Sequence, residues 1–319
     1  MLSKAHLLKC AVIAVAMTAA CSLWADPIGY SVNSRGVDRD DQRVNALWRI
    51  NLSSGEAEYV GWTSFIDLEA LAFSPDSLLY GADDESNTLV RVSTVTGLAQ
   101  PVGGANNRFN TGLLPLNRKL DFGMSFTCDG ELFVVSDVEQ SLFLADLESG
   151  SLRLIGASGA LGAPITDIAV RGSDVYGIGV GLSSDGQSAS PNLYRIDLQT
   201  PSAELIGPLG LEAAPYNNAG LSFDEAGKLW AITDRRAVGG RDLASQVLLI
   251  DTESGNATLV SESIIGLESL AIAPPSQCDR DAGQPAPAEP IPIMSKSGLA
   301  VFIFLTLALG AVSLRFRLA

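Results

Sequence analysis

The chain of 319 residues contains one histidine, His6. It lies in an N-terminal stretch patterned as a secretory leader, so the body has none. Without histidine, Ser-His-Asp and Cys-His nucleophilic catalysis fall away, as do His-ligated zinc and haem. Cysteine is nearly as scarce. Of four cysteines, Cys10 and Cys21 sit in the same leader, leaving Cys128 and Cys278. Two cysteines in an exported chain make either one disulfide, between Cys128 and Cys278, or two separate thiols. Positive charge is the third shortage. There are 21 Lys and Arg against 36 Asp and Glu, and five of the basic residues (Lys4, Lys9, Lys296, Arg315, Arg317) belong to two acid-free ends. The body therefore holds 16 basic and 36 acidic residues, a net of −20. Such a surface repels nucleic acid and attracts cations.

The two ends give an address. Residues 1–25 carry Lys4 and Lys9, an apolar run over 11–20, and a small residue, Ala25, where cleavage is expected. This is the pattern of a signal peptide. At the other end, 299–314 is free of charge and is followed by Arg315 and Arg317. Sixteen helical residues span roughly 24 Å, close to membrane thickness. The arginines beyond it place the tail in the cytoplasm and the body on the periplasmic side. Residues 278–292 are rich in Pro and Ala and predict an extended linker. Ile291, Pro292, Ser295 and Gly298, ahead of the apolar segment and its basic end, carry a resemblance. Residues 291–319 resemble the IPTL-CTERM sorting signals of Gram-negative bacteria, with Ile293, Met294 and Ser297 departing from the usual Thr, Leu and Trp. The resemblance implies a sorting protease of the exosortase type as a partner and onward processing to the cell surface.

Between the ends, one unit repeats. Its tight turn recurs at 50–55, 92–97, 145–150, 196–201 and 250–255. Asn51, Ser93, Asp146, Asp197 and Asp251 open these turns, where a short side chain can accept turn amides. Gly usually closes them, supplying positive φ. A strand follows each turn and ends Val-Gly, Ile-Gly or the like. A second marker alternates small and large residues: Ala70-Leu-Ala-Phe73, Gly123-Met-Ser-Phe126, Asp167-Ile-Ala-Val170, Gly220-Leu-Ser-Phe223 and Ser269-Leu-Ala-Ile272. Period-2 alternation puts the small residues on one sheet face and the large ones on the other. Sheets stacked radially can then pack large face into small. The expected fold is an all-β, five-bladed β-propeller over 26–277. Its blades span 27–61 joined by 268–274, then 69–103, 120–157, 165–208 and 218–261. The first blade is closed by strands from both termini.

Loop lengths are one-sided. The connections at 74–77, 128–130, 171–174 and 224–227 are short. Those at 34–45, 104–119, 182–191, 209–217 and 235–245 are long and emerge on the opposite face, the usual place for binding. Acids and amides collect there. Asp67, Glu69, Asp121, Asn218 and Glu268 stand at inner-strand starts, and Asp83, Asp137 and Asp234 at second-strand ends. Converging carboxylates suit Ca²⁺, or an acid/base pair such as Glu69, Asp121 and Glu268 could form. The alternative is that each Asp caps its own turn. Nine of the body's 16 basic residues lie in the same loops, Arg118 and Arg235 among them, able to neutralise the acids or grip an anionic ligand. The Gly-rich run from Gly177 lies in a predicted strand with no helix after it, so it is no dinucleotide site.

Leu193-Tyr-Arg-Ile-Asp197 is a repeat motif shared with secreted bacterial propellers. On it the body resembles SMP-30/gluconolactonase-like proteins. That resemblance implies a Glu/Asn/Asp metal site, whose residue types Glu69, Asn218 and Asp234 match. Two functions are expected: a displayed propeller binding a surface ligand or partner through its long-loop face, or a histidine-independent lactonase-like or glycosidase hydrolase.

Overall fold

The computed structural model describes residues 26–33, 43–104, 108–109, 120–182, 191–236 and 242–273. These contain twenty strands and no α-helix, arranged as five four-stranded antiparallel sheets. The first sheet holds β1 (Ile28–Asn33), β2 (Ala46–Asn51) and β3 (Ala57–Trp62). The second holds β4 (Leu68–Phe73), β5 (Leu79–Asp83), β6 (Thr88–Val92) and β7 (Ala99–Pro101). The third holds β8 (Phe122–Phe126), β9 (Leu132–Ser136), β10 (Ser141–Ala145) and β11 (Leu152–Ile155). The fourth holds β12 (Ile165–Arg171), β13 (Asp174–Gly179), β14 (Asn192–Asp197) and β15 (Ser202–Pro208). The fifth holds β16 (Tyr216–Phe223), β17 (Leu229–Arg235), β18 (Ala244–Ile250) and β19 (Ala257–Ile265). β20 (Ala271–Ile272) then returns to pair with β1 and completes the first sheet. This is the expected five-bladed propeller with its terminal seam. The leader at 1–25, the linker at 278–292 and the apolar span at 299–314 lie outside the described residues, among which no helix is long and apolar enough to cross a membrane.

Five core clusters occupy the five interfaces between blades. In one, Ala70, Ala72 and Ala82 of the second blade receive Met124, Phe126 and Phe143 of the third. The small face of one sheet is filled by the large face of the next, as the alternating inner strand requires. An aromatic pair recurs at the same place. Tyr30 meets Phe73 at 5.6 Å, Tyr80 meets Phe126 at 5.3 Å, and Tyr176 meets Phe223 at 5.7 Å between ring centroids.

The tight turns follow their sequence chemistry. Asn51 Oδ1 accepts the amides of Ser53 and Ser54 at 3.0 and 3.1 Å. Ser93, Asp146, Asp197 and Asp251 accept in the same way. The glycines have a second reason. A Cβ on Gly61 would stand 2.0 Å from the Thr96 carbonyl oxygen, in the next blade's turn, and one on Gly207 would stand 2.2 Å from that of Ser254. The glycine that ends one outer strand therefore leaves room for the following turn to press against it. At the seam, a Cβ on Gly55 would stand 2.0 Å from the carbonyl oxygen of Glu262, so the fifth blade meets the first by the same contact.

Candidate functional site

Each inner strand begins with an irregular residue at one end of the channel. In β4, Leu68 faces Asp83 and Ala70 faces Ala82, leaving Glu69 as an extra residue. In β12, Thr166 is extra between Ile165 and Asp167. In β16 the break lies between Tyr216 and Ala219, where Asn217 and Asn218 stand. At the seam, the four steps from Leu267 to Ala271 face three from Asn33 to Tyr30, and Glu268 lies within that break. The third blade has no bulge there; instead Asp121 takes a φ of 42°. Bulges and left-handed residues turn a side chain away from the direction that period 2 dictates.

The result is a crowd of carboxylates. One oxygen each from Asp67, Glu69 and Glu268 lie within 4.8 Å of one another, and so do one each from Glu69, Asp84 and Asp121. Glu69 belongs to both groups and is buried, with 6% of its surface exposed. Its Oε2 accepts the Phe122 amide at 3.3 Å. The Leu120 amide donates to Asp84 Oδ1 at 2.8 Å. Burial pushes the Glu69 carboxyl well above the usual carboxylate range, and Asp121, Glu268, Asp84 and Asp67 add to it in that order. Asp137 stands beside this group. Burial, then the charge of Asp121, raises it to about 8, and its Oδ1 is buried without a hydrogen-bond partner. These acids come from the first three blades.

In the fourth and fifth blades the corresponding polar groups engage one another or the backbone. The Thr166 hydroxyl donates to Asn218 Oδ1, which also accepts the Ala219 amide at 3.0 Å. Asp167 Oδ1 accepts the amides of Met124 and Ile168 at 2.8 and 2.9 Å, and its Oδ2 accepts that of Leu221 at 2.7 Å. One carboxylate thus joins β8, β12 and β16. Burial raises its pKa and the three amides oppose the rise. Asp234, fully buried, pairs with Arg236 at 3.3 Å, and Arg236 also reaches Asp242 at 3.7 Å.

The expected residues therefore separate. Asp67, Glu69, Asp121 and Glu268 come together. Asn218 and Asp234, expected to join Glu69 around a metal, meet Thr166 and Arg236 respectively. Asp83 Oδ1 accepts the Asp67 amide at 3.0 Å, and its Oδ2 accepts the amide and hydroxyl of Ser86, so it holds its own turn. The next residue, Asp84, takes the position that Asp137 holds in the third blade. The Asp84 amide donates to the Asp67 carbonyl, as that of Asp137 does to Asp121. Sequence reading missed Asp84; the signal was an acid adjacent to the one chosen. Arg235 Nη1 pairs with Glu262 at 2.6 Å. Arg118 lies outside the described residues. Cys128 is disulfide-bonded, to a cysteine beyond the described residues.

No family model and no curated protein matches the chain. Among solved structures, the chain is similar to virginiamycin B lyase from Staphylococcus aureus at 13% identity, covering 68% of this chain and 63% of the lyase, with a TM-score of 0.37. It is similar to TolB from Acinetobacter baumannii at 17% identity, covering 72% of this chain and 51% of that one, with a TM-score of 0.39. A catalytically inactive variant of the lyase with quinupristin is similar at 13% identity, covering 74% and 71%, with a TM-score of 0.39. The chain thus spans less than two thirds of the first two proteins' length, and likeness at this level carries nothing about activity.

Proposed function

We propose that the protein is an exported, membrane-anchored propeller that binds a ligand at its long-loop face through a divalent cation held in the acidic mouth. The observation that carries this reading is Glu69, buried and shared by two carboxylate groups, each compact enough for one ion. Buried like charges are costly unless a proton or a cation offsets them. Ca²⁺ suits the donor set, because it takes six to eight oxygens with tolerant geometry. Each group of three supplies a minority of these, which leaves positions for water and for oxygen atoms of a ligand. Cation and proton then compete for Glu69. The leader and the C-terminal apolar span support export and anchoring, and the sorting-signal resemblance supports later processing.

The test is a thermal-shift series on the full chain at pH 8 with Ca²⁺, Mn²⁺, Zn²⁺ and Mg²⁺. Binding to the folded state raises the melting temperature in proportion to occupancy. At least one cation should give a saturable rise that Glu69→Gln abolishes. No response to any of them sinks the reading.

A second reading has its own observation. With a pKa of about 8, Asp137 keeps its proton at neutral pH beside Asp121. A protonated acid next to a second carboxyl is the arrangement that hydrolysis of a lactone or glycoside requires. It predicts turnover of one of these classes that Asp137→Asn removes while the cation shift stays. Absence of turnover across both classes from pH 5 to 9 would count against it.

A further inference from the structure

The face opposite the mouth carries the short turns, and there an open groove of about 740 Å³ borders the second blade. Leu78, Leu98 and Leu147 line it and are 38%, 51% and 36% exposed. Leu147 comes from the turn between β10 and β11. Four of the lining residues are Ser or Thr, one is Arg91, and none is acidic. The repeat supplies a control for that arginine. Tyr30, Tyr80 and Tyr176 hold one place in three blades, and each faces an arginine on the next strand: Arg49, Arg91 and Arg195. The outer strand sets Glu58 opposite Arg49 and Glu204 opposite Arg195, but Gln100 opposite Arg91. Arg49 pairs with Glu58 at 3.2 Å, and Arg195 with Asp174 at 2.6 Å. Asp174 stands two residues before its tyrosine, where the second blade has Leu78. The second blade thus has the arginine without either acid. Arg91 lies over the Tyr80 ring at 5.9 Å, and among the described residues it forms no ion pair.

We infer that this groove binds a fatty acid, with the carboxylate on the Arg91 guanidinium and the alkyl chain against Leu78, Leu98 and Leu147. The groove's volume lies within the usual range for small-ligand sites. A neutral apolar ligand would cover Arg91 without supplying a counter-charge, at a cost in free energy. A polyanion needs several cations, and the groove offers one. One guanidinium matches one carboxylate in bidentate geometry. A phosphate monoester carries nearly twice the charge and would meet a body of net charge −20. The exposed leucines gain when the chain displaces water from them. An acid at position 78 or 100 would occupy Arg91, as acids occupy Arg49 and Arg195. The site is separate from the acidic mouth and does not depend on what the mouth binds.

The test is photo-crosslinking of the full chain with dodecanoate bearing a diazirine on its chain, read by peptide mapping. Label should saturate and fall on the peptides that hold residues 77–103 and Leu147. Plain dodecanoate should compete with it better than dodecanol, dodecyl phosphate or acetate. Arg91→Gln should lower labelling roughly tenfold, as loss of a charge-assisted hydrogen bond does. Gln100→Glu restores the acid that the first and fourth blades carry at this place. It should lower labelling by a similar factor with the melting temperature unchanged or higher, and it gives the reading if Arg91→Gln does not fold. Label on other peptides, label that survives both substitutions, or equal competition by any of the three other compounds would overturn the inference.

Discussion

Glu69 and Asp167 are carboxylates buried in neighbouring positions of two inner strands, and burial raises both. They differ in what surrounds them. Asp167 is held by three backbone amides from three strands. Glu69 receives one long amide contact and faces four other acids. A buried carboxylate encircled by donors is a fastening of the fold. One encircled by carboxylates raises the energy of the folded state until something positive arrives. The same contrast runs around the whole mouth. The bulged positions of the fourth and fifth blades, Thr166 and Asn218, hydrogen-bond to each other, whereas those of the first and second, Glu268 and Glu69, are two acids that repel each other.

Substitutions should separate the two halves. Asp167→Ala leaves three buried amides without an acceptor and should cost about 3–5 kcal/mol of stability, with no change in cation response if the protein still folds. Urea denaturation measures it, and a loss below about 1 kcal/mol would erase the distinction drawn between the two acids.

Asp137 comes next. Its folded pKa of about 8 lies above the ordinary aspartate value of 3.8. The stability it contributes is therefore complete below about pH 4 and is lost as pH rises towards 8, over which range wild type should lose on the order of 5 kcal/mol from this group in metal-free buffer. Asp137→Asn should flatten that slope, and chelated samples unfolded at pH 5 and pH 8.5 would show it. Glu69→Gln works in the same direction. Without cation at pH 8 it should equal wild type or exceed it by about 1–2 kcal/mol, since it removes a crowded negative charge. A clear destabilisation would place Glu69 with the fastenings. The smallest effect belongs to Asp83→Asn, which weakens a turn by about 1 kcal/mol and leaves the cation response intact.

The propeller was legible because its signals are local. The turn openers accept amides two and three residues on, and the small-large alternation follows from period 2. What the turn glycines are for was less legible, because Gly61 and Thr96 meet only after the blades assemble. The site was legible by half. Glu69 and Glu268 share a place in the repeat, which the sequence displays. Asp84 was lost to a one-residue slip, since the extra residue at Glu69 shifts the register and period 2 turns such a slip into a change of face. Asn218 and Asp234 have the right residue types for a metal, but Thr166 and Arg236 engage them. No spacing rule announces a partner 52 residues away, as Thr166 is from Asn218.

The central claim, that the acidic mouth exchanges protons for a divalent cation, is tested most directly by calorimetric titration of the full chain with Ca²⁺ at pH 7.5. Running it in two buffers of different ionisation enthalpy reports the protons released. Saturable binding with release of a measurable fraction of a proton per ion or more, absent in Glu69→Gln, is the predicted result. No binding, or binding that releases no proton and survives Glu69→Gln, would contradict it.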